Sequence, residues 1–302
     1  SMTSAAKYMH NIAPNGRTIG SLCSGAIVRT ICCRCSGGGN SRVGALQTGV
    51  VSGLSGRRWC SDGASGRDSS RWFDRSANPP MSSLEKAMLA VTAAVGALRD
   101  PTRADFVATL GDTTGAPALD AMRRKMLADE IGREILAQKP VVTEHVRIHE
   151  LRLLPAGTFG KAYADFMDSQ GFEAEGRPSV KYVDDPELAY VMLRYREVHD
   201  FLHVLTGLDT SVEGEIIQKW LELMQTGLPM TLLSATVGPL HLSSEHRRLL
   251  LTEWVPWSAR VAVQMPFFLN IYYERLFEYD LNQLRADLDI PPLPKSAPAH
   301  KY

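Results

Sequence analysis

Apolar positions recur along most of this chain at spacings of three and four, the period of helices that bury one face. Leu84, Met88, Val91, Val95 and Leu98 follow the capping residue Ser83, and Pro101 ends the run. Similar patterns predict a second helix from about Pro117 to Gln138 and a third from about Ala156 to Gln170. Asp184-Asp185-Pro186 supplies an acidic cap with proline in the first turn. Val191, Tyr195, Val198, Leu202 and Leu205 then form a 4-3-4-3 stripe that Gly207 stops. Thr210 with Glu213 three residues later predicts a capping box opening the next helix, which carries Ile216, Ile217, Trp220 and Leu223. Thr231 to Leu240 is apolar but too short to span a bilayer. Ser243-Ser244 opens a helix reaching Met265 with a kink expected at Pro256, and a last helix from Phe267 to Asp289 precedes Pro291-Pro292. No strand-rich region stands out. The expected fold is an all-α, single-domain helical bundle over residues 82–294 with a tail over 295–302.

The first 60 residues break this pattern. They hold no Asp or Glu, while Lys7, Arg17, Arg29, Arg34, Arg42, Arg57 and Arg58 are spread through Ser- and Gly-rich sequence, the character of a mitochondrial transit peptide. Residues 1–80 are therefore expected to be a transit peptide and disordered leader, with Arg57-Arg58-Trp59 ahead of Cys60-Ser61 as a processing point. All five cysteines, Cys23, Cys32, Cys33, Cys35 and Cys60, fall there, so the body is expected to hold neither disulfides nor thiolate ligands. The chain has 33 basic and 33 acidic residues; without the seven basic residues of the first 60, 26 basic face 33 acidic. An acidic body argues against nucleic acid as a partner.

Candidate chemistry concentrates on the fourth predicted helix, in His199-Asp200-Phe201-Leu202-His203. A helix turns about 100° per residue, so His199 and His203 lie about 40° apart and Asp200 about 60° beyond His203, all within one arc. Glu215, in the first turn of the following helix, is placed to reach back across a tight turn. Two imidazoles and two carboxylates suit a divalent metal, zinc first, with manganese and ferrous iron also accepted by such a set. Four protein ligands close a tetrahedral zinc and make it structural. With Asp200 instead orienting an imidazole, three ligands remain and one position stays open for water or substrate. Arg196, one turn before His199, either holds a substrate anion or pairs with an acid. Lys219 and Glu222 read as a solvated face. A second pair, His145 and His149, sits in a segment whose alternation favours extended chain. A zinc protease of the His-Glu-x-x-His kind needs Glu where Asp200 stands, and a His-Asp phosphohydrolase needs further ligands on other helices.

The element His-Asp-x-x-His followed after eleven residues by Glu215 resembles the metal signature of the mitochondrial ubiquinone (coenzyme Q) biosynthesis protein family usually numbered fourth in its pathway. Asp112-Thr113-Thr114-Gly115, the run Tyr182 to Tyr190, Arg194 to Val198, Gln225 to Met230 and Asn270 to Arg275 are similar to segments of that family, so the likeness covers about Ser82 to Pro294. The resemblance implies a metal-dependent carbon-carbon lyase that removes the ring carboxyl at C1 of 4-hydroxy-3-methoxy-5-polyprenylbenzoate, oxidatively or not. It also implies a role in organising the biosynthetic complex. Implied as catalytic and metal-binding are His199, Asp200, His203 and Glu215. A carboxylate beside a cation and imidazoles can hold an unusual proton affinity, which makes Asp200 also the candidate proton relay, and Arg196 is the candidate for binding the substrate. The resemblance further implies a greasy channel for the polyprenyl tail, built from the apolar stretches near Thr231 to Leu240, Val255 to Trp257 and Met265 to Leu269. Partners would be the polyprenylated hydroxybenzoate lipid, other ubiquinone-biosynthesis enzymes and a second copy in a homo-oligomer. The place would be the matrix side of the mitochondrial inner membrane, in peripheral contact. A noncatalytic prenyl-lipid scaffold whose metal only staples the hairpin is the rival reading.

Overall fold

The computed structural model describes residues 81–99, 103–142, 146–171 and 180–300. The leader expected over 1–80, with its processing point and five cysteines, and His145 lie outside the described residues. The helices are α1 (Ser83–Arg99), α2 (Ala104–Thr114), α3 (Ala116–Ala128), α4 (Glu130–Gln138), the one-turn α5 (Ile148–Leu151), α6 (Phe159–Gln170), α7 (Pro186–Thr206), α8 (Val212–Thr226), α9 (Pro229–Val237), α10 (Ser244–Leu249), α11 (Val255–Gln264) and α12 (Leu281–Asp287). Among the described residues there is no β-strand, only isolated bridges joining Thr158 to Asp280 and Leu208 to Ala299. The chain is all-α.

The central element is α7, which packs against α3, α6 and α12. Its stripe residues Val191, Tyr195, Val198, Leu202 and Leu205 are buried, and so are Ala189, Phe201 and Val204 on its other sides. Phe201 meets Phe159, Tyr163 and Tyr273 with ring centroids 5.4, 4.5 and 4.9 Å apart. Each such ring taken out of water contributes about 1.5–3 kcal/mol. The next helix, α8, packs against α3, α9 and α11. The apolar stretches singled out in the sequence mostly join this core: Trp257, Met265, Phe268 and Leu269 are buried, whereas Leu232 and Leu240 are exposed.

Several expected elements differ, each for a local reason. The helix expected from Pro117 to Gln138 is two, because Asp129 leaves the helical conformation and its carboxylate accepts from Gly132 N at 2.9 Å, capping α4. Gly132 allows the tight corner: a Cβ there would collide with the Met126 carbonyl and come 2.6 Å from Asn270 Oδ1. The third helix starts at Phe159 rather than Ala156, capped by Thr158. His149 falls in the one-turn α5 instead of extended chain. At α8 the cap is Ser211, whose hydroxyl accepts from Gly214 N at 3.2 Å; Thr210 bonds Gln170 and Glu213 bonds His246. Around Pro256 the helix does not simply kink. One π-turn, Leu250–Trp254, joins α10 to α11 and absorbs the donor that proline lacks.

The largest difference is the segment expected as a helix from Phe267 to Asp289. It forms 3₁₀ turns at Phe268–Asn270 and Tyr273–Arg275 before the short α12. The reason lies on α7. The fully buried Arg194 guanidinium donates to Leu269 O at 3.2 Å, Ile271 O at 2.7 Å and Glu274 Oε1 at 2.9 Å, taking carbonyls a helix would have used internally. A charge-assisted network of this kind outweighs local helix propensity.

Candidate metal centre

The site is built by two helix ends. Asp185 caps α7 by accepting from Glu187 N and Leu188 N, and Gly207 closes it in the left-handed region at φ 79. His199 and His203, one turn apart, present their rings nearly perpendicular with centroids 5.0 Å apart. Glu215 stands in the first turn of α8. Its Oε1 lies 3.1 Å from His203 Nε2 and its Oε2 3.6 Å from His199 Nε2. The donor atoms of these three groups all lie within 4.8 Å of one another. Ligands about 2.0–2.2 Å from a tetrahedral zinc sit roughly 3.3–3.6 Å apart, so small side-chain adjustments bring all three onto one ion. The residues fit a divalent metal.

The other ring nitrogen of each histidine is held as well. His199 Nδ1 is 2.6 Å from Glu222 Oε1, and His203 Nδ1 is 3.3 Å from the Leu208 carbonyl. A carbonyl can only accept, so His203 Nδ1 carries the proton and its Nε2 lone pair is left for an ion. His199 Nδ1 meets the Glu222 carboxylate with Gln218 Nε2 at 3.0 Å and Lys219 Nζ at 3.2 Å beside the same nitrogen. Glu222 is itself held: Lys219 Nζ donates to Oε2 at 2.8 Å and the Tyr195 hydroxyl donates to the same oxygen. Gln218 Nε2 donates to the His199 carbonyl at 2.9 Å. Glu222 is 0% exposed. Burial pushes its carboxyl upward, but the Lys219 and His199 charges outweigh it and hold the group well below the usual carboxylate range. Glu215 behaves alike, burial being overcome by His199 and His203. For His199, burial and Lys219 push the imidazole down, and Glu222 with Glu215 raise it overall.

The expectation that Lys219 and Glu222 face solvent is therefore wrong. Glu215, Gln218, Lys219 and Glu222 are spaced i, i+3, i+4, i+7, which is the spacing of a helix face turned to a neighbour. That polar stripe was the available signal. The structure brings His199, His203 and Glu215 together, while buried Asp200 stays outside the converging set. The Arg196 guanidinium bonds Asp112 Oδ1 at 2.7 Å and the Ala108 carbonyl at 3.1 Å, tying α7 to α2. Asp112 also accepts from Lys181 N at 3.0 Å; burial raises its carboxyl despite Arg196.

Glu215 is 37% exposed, whereas His203 is 1% exposed and closes the inner wall. No helix among the described residues is long and apolar enough to cross a membrane.

Residues 76–294 match the model of the family described as coenzyme Q (ubiquinone) biosynthesis protein Coq4. Similar chains include the mitochondrial ubiquinone biosynthesis protein COQ4 homolog of Bos taurus, 46% identical over 217 residues, which are 71% of this chain and 82% of that one. The homolog of Nematostella vectensis is 48% identical over 200 residues, 65% of this chain and 96% of its own length. The mitochondrial coq4 protein of Schizosaccharomyces japonicus is 39% identical over 221 residues, 72% and 92% of the two chains. A crystal structure from Nostoc punctiforme aligns at a TM-score of 0.54 and 20% identity over 67% of this chain and 96% of that one, a likeness of fold alone.

Proposed function

The chain belongs to the coenzyme Q (ubiquinone) biosynthesis protein Coq4 family, and from that premise we propose that it acts in ubiquinone biosynthesis as a metal-dependent decarboxylase. The substrate in this reading is a 4-hydroxybenzoate bearing a polyprenyl tail, 4-hydroxy-3-methoxy-5-polyprenylbenzoate, and the bond broken joins ring carbon one to its carboxyl group. The carrying observation is the convergence of His199 Nε2, His203 Nε2 and Glu215 on one point, with both Nδ1 atoms already held.

When bound there, a divalent cation, zinc first, supplies Lewis acidity and an anchor for an anionic oxygen of the ring. His199, His203 and Glu215 hold it. Glu222, Lys219 and Gln218 keep His199 from turning, so the reacting ring meets a fixed wall. The exposed flank at Glu215 admits substrate and water, and buried His203 shields the inner side. As the C1–carboxyl bond breaks, carbon dioxide leaves with its two oxygens and the bonding pair remains on C1. A proton delivered through the open flank then completes a non-oxidative replacement of carboxyl by hydrogen.

For the tail and the setting, the reading draws on apolar surface. Exposed Leu232 and Leu240 offer apolar contact for a prenyl chain. The exposed stripe of α1 is of a kind that lies on a bilayer without spanning it, consistent with peripheral contact at the matrix face of the mitochondrial inner membrane. The relatives named above carry mitochondrial names.

The test supplies the purified chain with a prenylated hydroxybenzoate labelled at the carboxyl carbon and with defined metals. Released label and retained metal are followed together. We expect turnover to need metal and to vanish in His203→Ala. Full turnover by metal-stripped protein overturns the reading. Metal retention with partner binding and no turnover favours the scaffold instead.

A further inference from the structure

Residues 295–300 lie beyond the stretch that matches the family model, yet they run across the turn that carries the metal hairpin. Leu208 and Ala299 pair as an antiparallel bridge. His300 N donates to the Gly207 carbonyl at 2.8 Å, and Asp209 N donates to the Pro298 carbonyl at 3.3 Å. The turn clasped in this way is the one whose Leu208 carbonyl meets His203 Nδ1. A second contact reaches the same ligand. The buried Phe166 ring stacks on His203 with centroids 5.6 Å apart and planes 19° apart, and its other neighbour is His300, at 5.3 Å. His300 Nε2 is also 3.1 Å from Ser169 Oγ, on the same helix as Phe166.

The tail is fastened before it arrives. Trp257 Nε1 donates to the Pro292 carbonyl at 2.9 Å and Trp254 Nε1 to Ser296 Oγ at 3.0 Å, while Ala297 is buried. Arg285 takes the Val204 and Leu205 carbonyls, each at 2.9 Å, so the end of α7 is gripped by α12 on one side and by the tail on another. An imidazole that must aim Nε2 at an ion depends on what fixes its opposite edge.

We propose that residues 298–300 are a positioning strap for the metal ligand His203, acting through the Gly207–Asp209 turn and through Phe166. The strap rests on the metal reading of the site and touches no substrate. It explains why the tail is pinned at Trp257, Trp254 and Gly207 in succession.

The experiment compares the full chain with a chain ending at Ala297, with His300→Pro, which deletes the N–H that meets Gly207 O, and with His300→Ala, which keeps it. Zinc affinity is read by competition with a chelator, and ligand geometry by the visible spectrum of the cobalt-substituted protein. Thermal unfolding of metal-free protein identifies any variant that has not folded, and His300→Pro keeps the test available should the shortened chain fail. We expect zinc affinity to fall about tenfold in the shortened chain and in His300→Pro, with an altered cobalt spectrum. His300→Ala should fall less. Unchanged affinity and spectrum in both backbone variants overturn the strap while leaving the metal centre standing. A full chain that retains no metal overturns both.

Discussion

Two helices of this molecule carry stripes of opposite character, and each turns its stripe the unexpected way. On α1 the large apolar residues point outward, Leu84 being 70% and Val91 63% exposed. On α8 the polar stripe Glu215, Gln218, Lys219 and Glu222 points inward, towards the histidines of α7. Periodicity reports that a helix has two faces; it does not say what each one meets. For α1 the neighbour is chosen by small residues. Ala93 and Ala97 are buried, and a Cβ added at Gly96 would come 2.6 Å from the Phe106 ring, so α2 lies too close for the large residues to fit between them. For α8 the neighbour is chosen by charge, because Glu222 finds two partners on α7, His199 Nδ1 and the Tyr195 hydroxyl.

The comparison breaks most visibly at the ligands themselves. His203→Ala removes one of the three donors that converge among the described residues. We expect metal retention after gel filtration and carboxyl release both to fall to background. Retained metal at the level of the unaltered chain would mean that the inward stripe serves only as a buried ion network.

Next in size is Glu222→Ala. It leaves the His199 Nδ1 edge, the Lys219 ammonium and the Tyr195 hydroxyl without the carboxylate that joins them. Zinc affinity should drop ten- to hundredfold. Removing one partner from a buried charge pair should cost about 3 kcal/mol in denaturant unfolding of the metal-free protein. An effect on stability alone, with affinity unchanged, would make Glu222 a fastening of α8 rather than an orienting group.

Much of the hairpin was legible because its signals are local. Asp185, Pro186 and Gly207 mark the ends of α7, and the spacing of His199, His203 and Glu215 needs only helix geometry and one turn. Glu222 escaped because a glutamate three residues from a lysine looks like a solvated pair; its partner His199 is 23 residues away. The region after Pro266 escaped for a like reason. Its carbonyls are taken by Arg194, some 75 residues earlier in sequence, and no local pattern shows that. Asp129 lay in plain view as a cap inside a helical run, where the apolar periodicity hid the break. The all-α class survives these misreadings because none of them turns a helix into a strand. The segment after Pro266 exchanges helix for 3₁₀ turns and a short helix, and the others concern one turn, a helix end or the way a helix faces.

The outward stripe can be probed from its hidden side. Gly96→Leu on α1 places a side chain where the Phe106 ring already sits. Overpacking of this kind should destabilise by about 1–3 kcal/mol in denaturant unfolding. A neutral result would show that α1 and α2 part easily and that the small-residue face does not choose the neighbour.

The smallest effect belongs to the stripe itself. Val91→Ser deletes apolar surface that is already mostly in water, so the folded and unfolded chains lose nearly the same contact. Unfolding should shift by less than about 0.5 kcal/mol, against about 2–5 kcal/mol for Ile217→Ala, which empties a fully buried position on α8. Both substitutions shorten a β-branched side chain on a helix, so propensity differences are minor and burial is what separates them. Were Val91→Ser to cost as much as Ile217→Ala in the isolated protein, something covers α1 in solution. The rule that small residues turned this helix would then have to include that cover as a second cause.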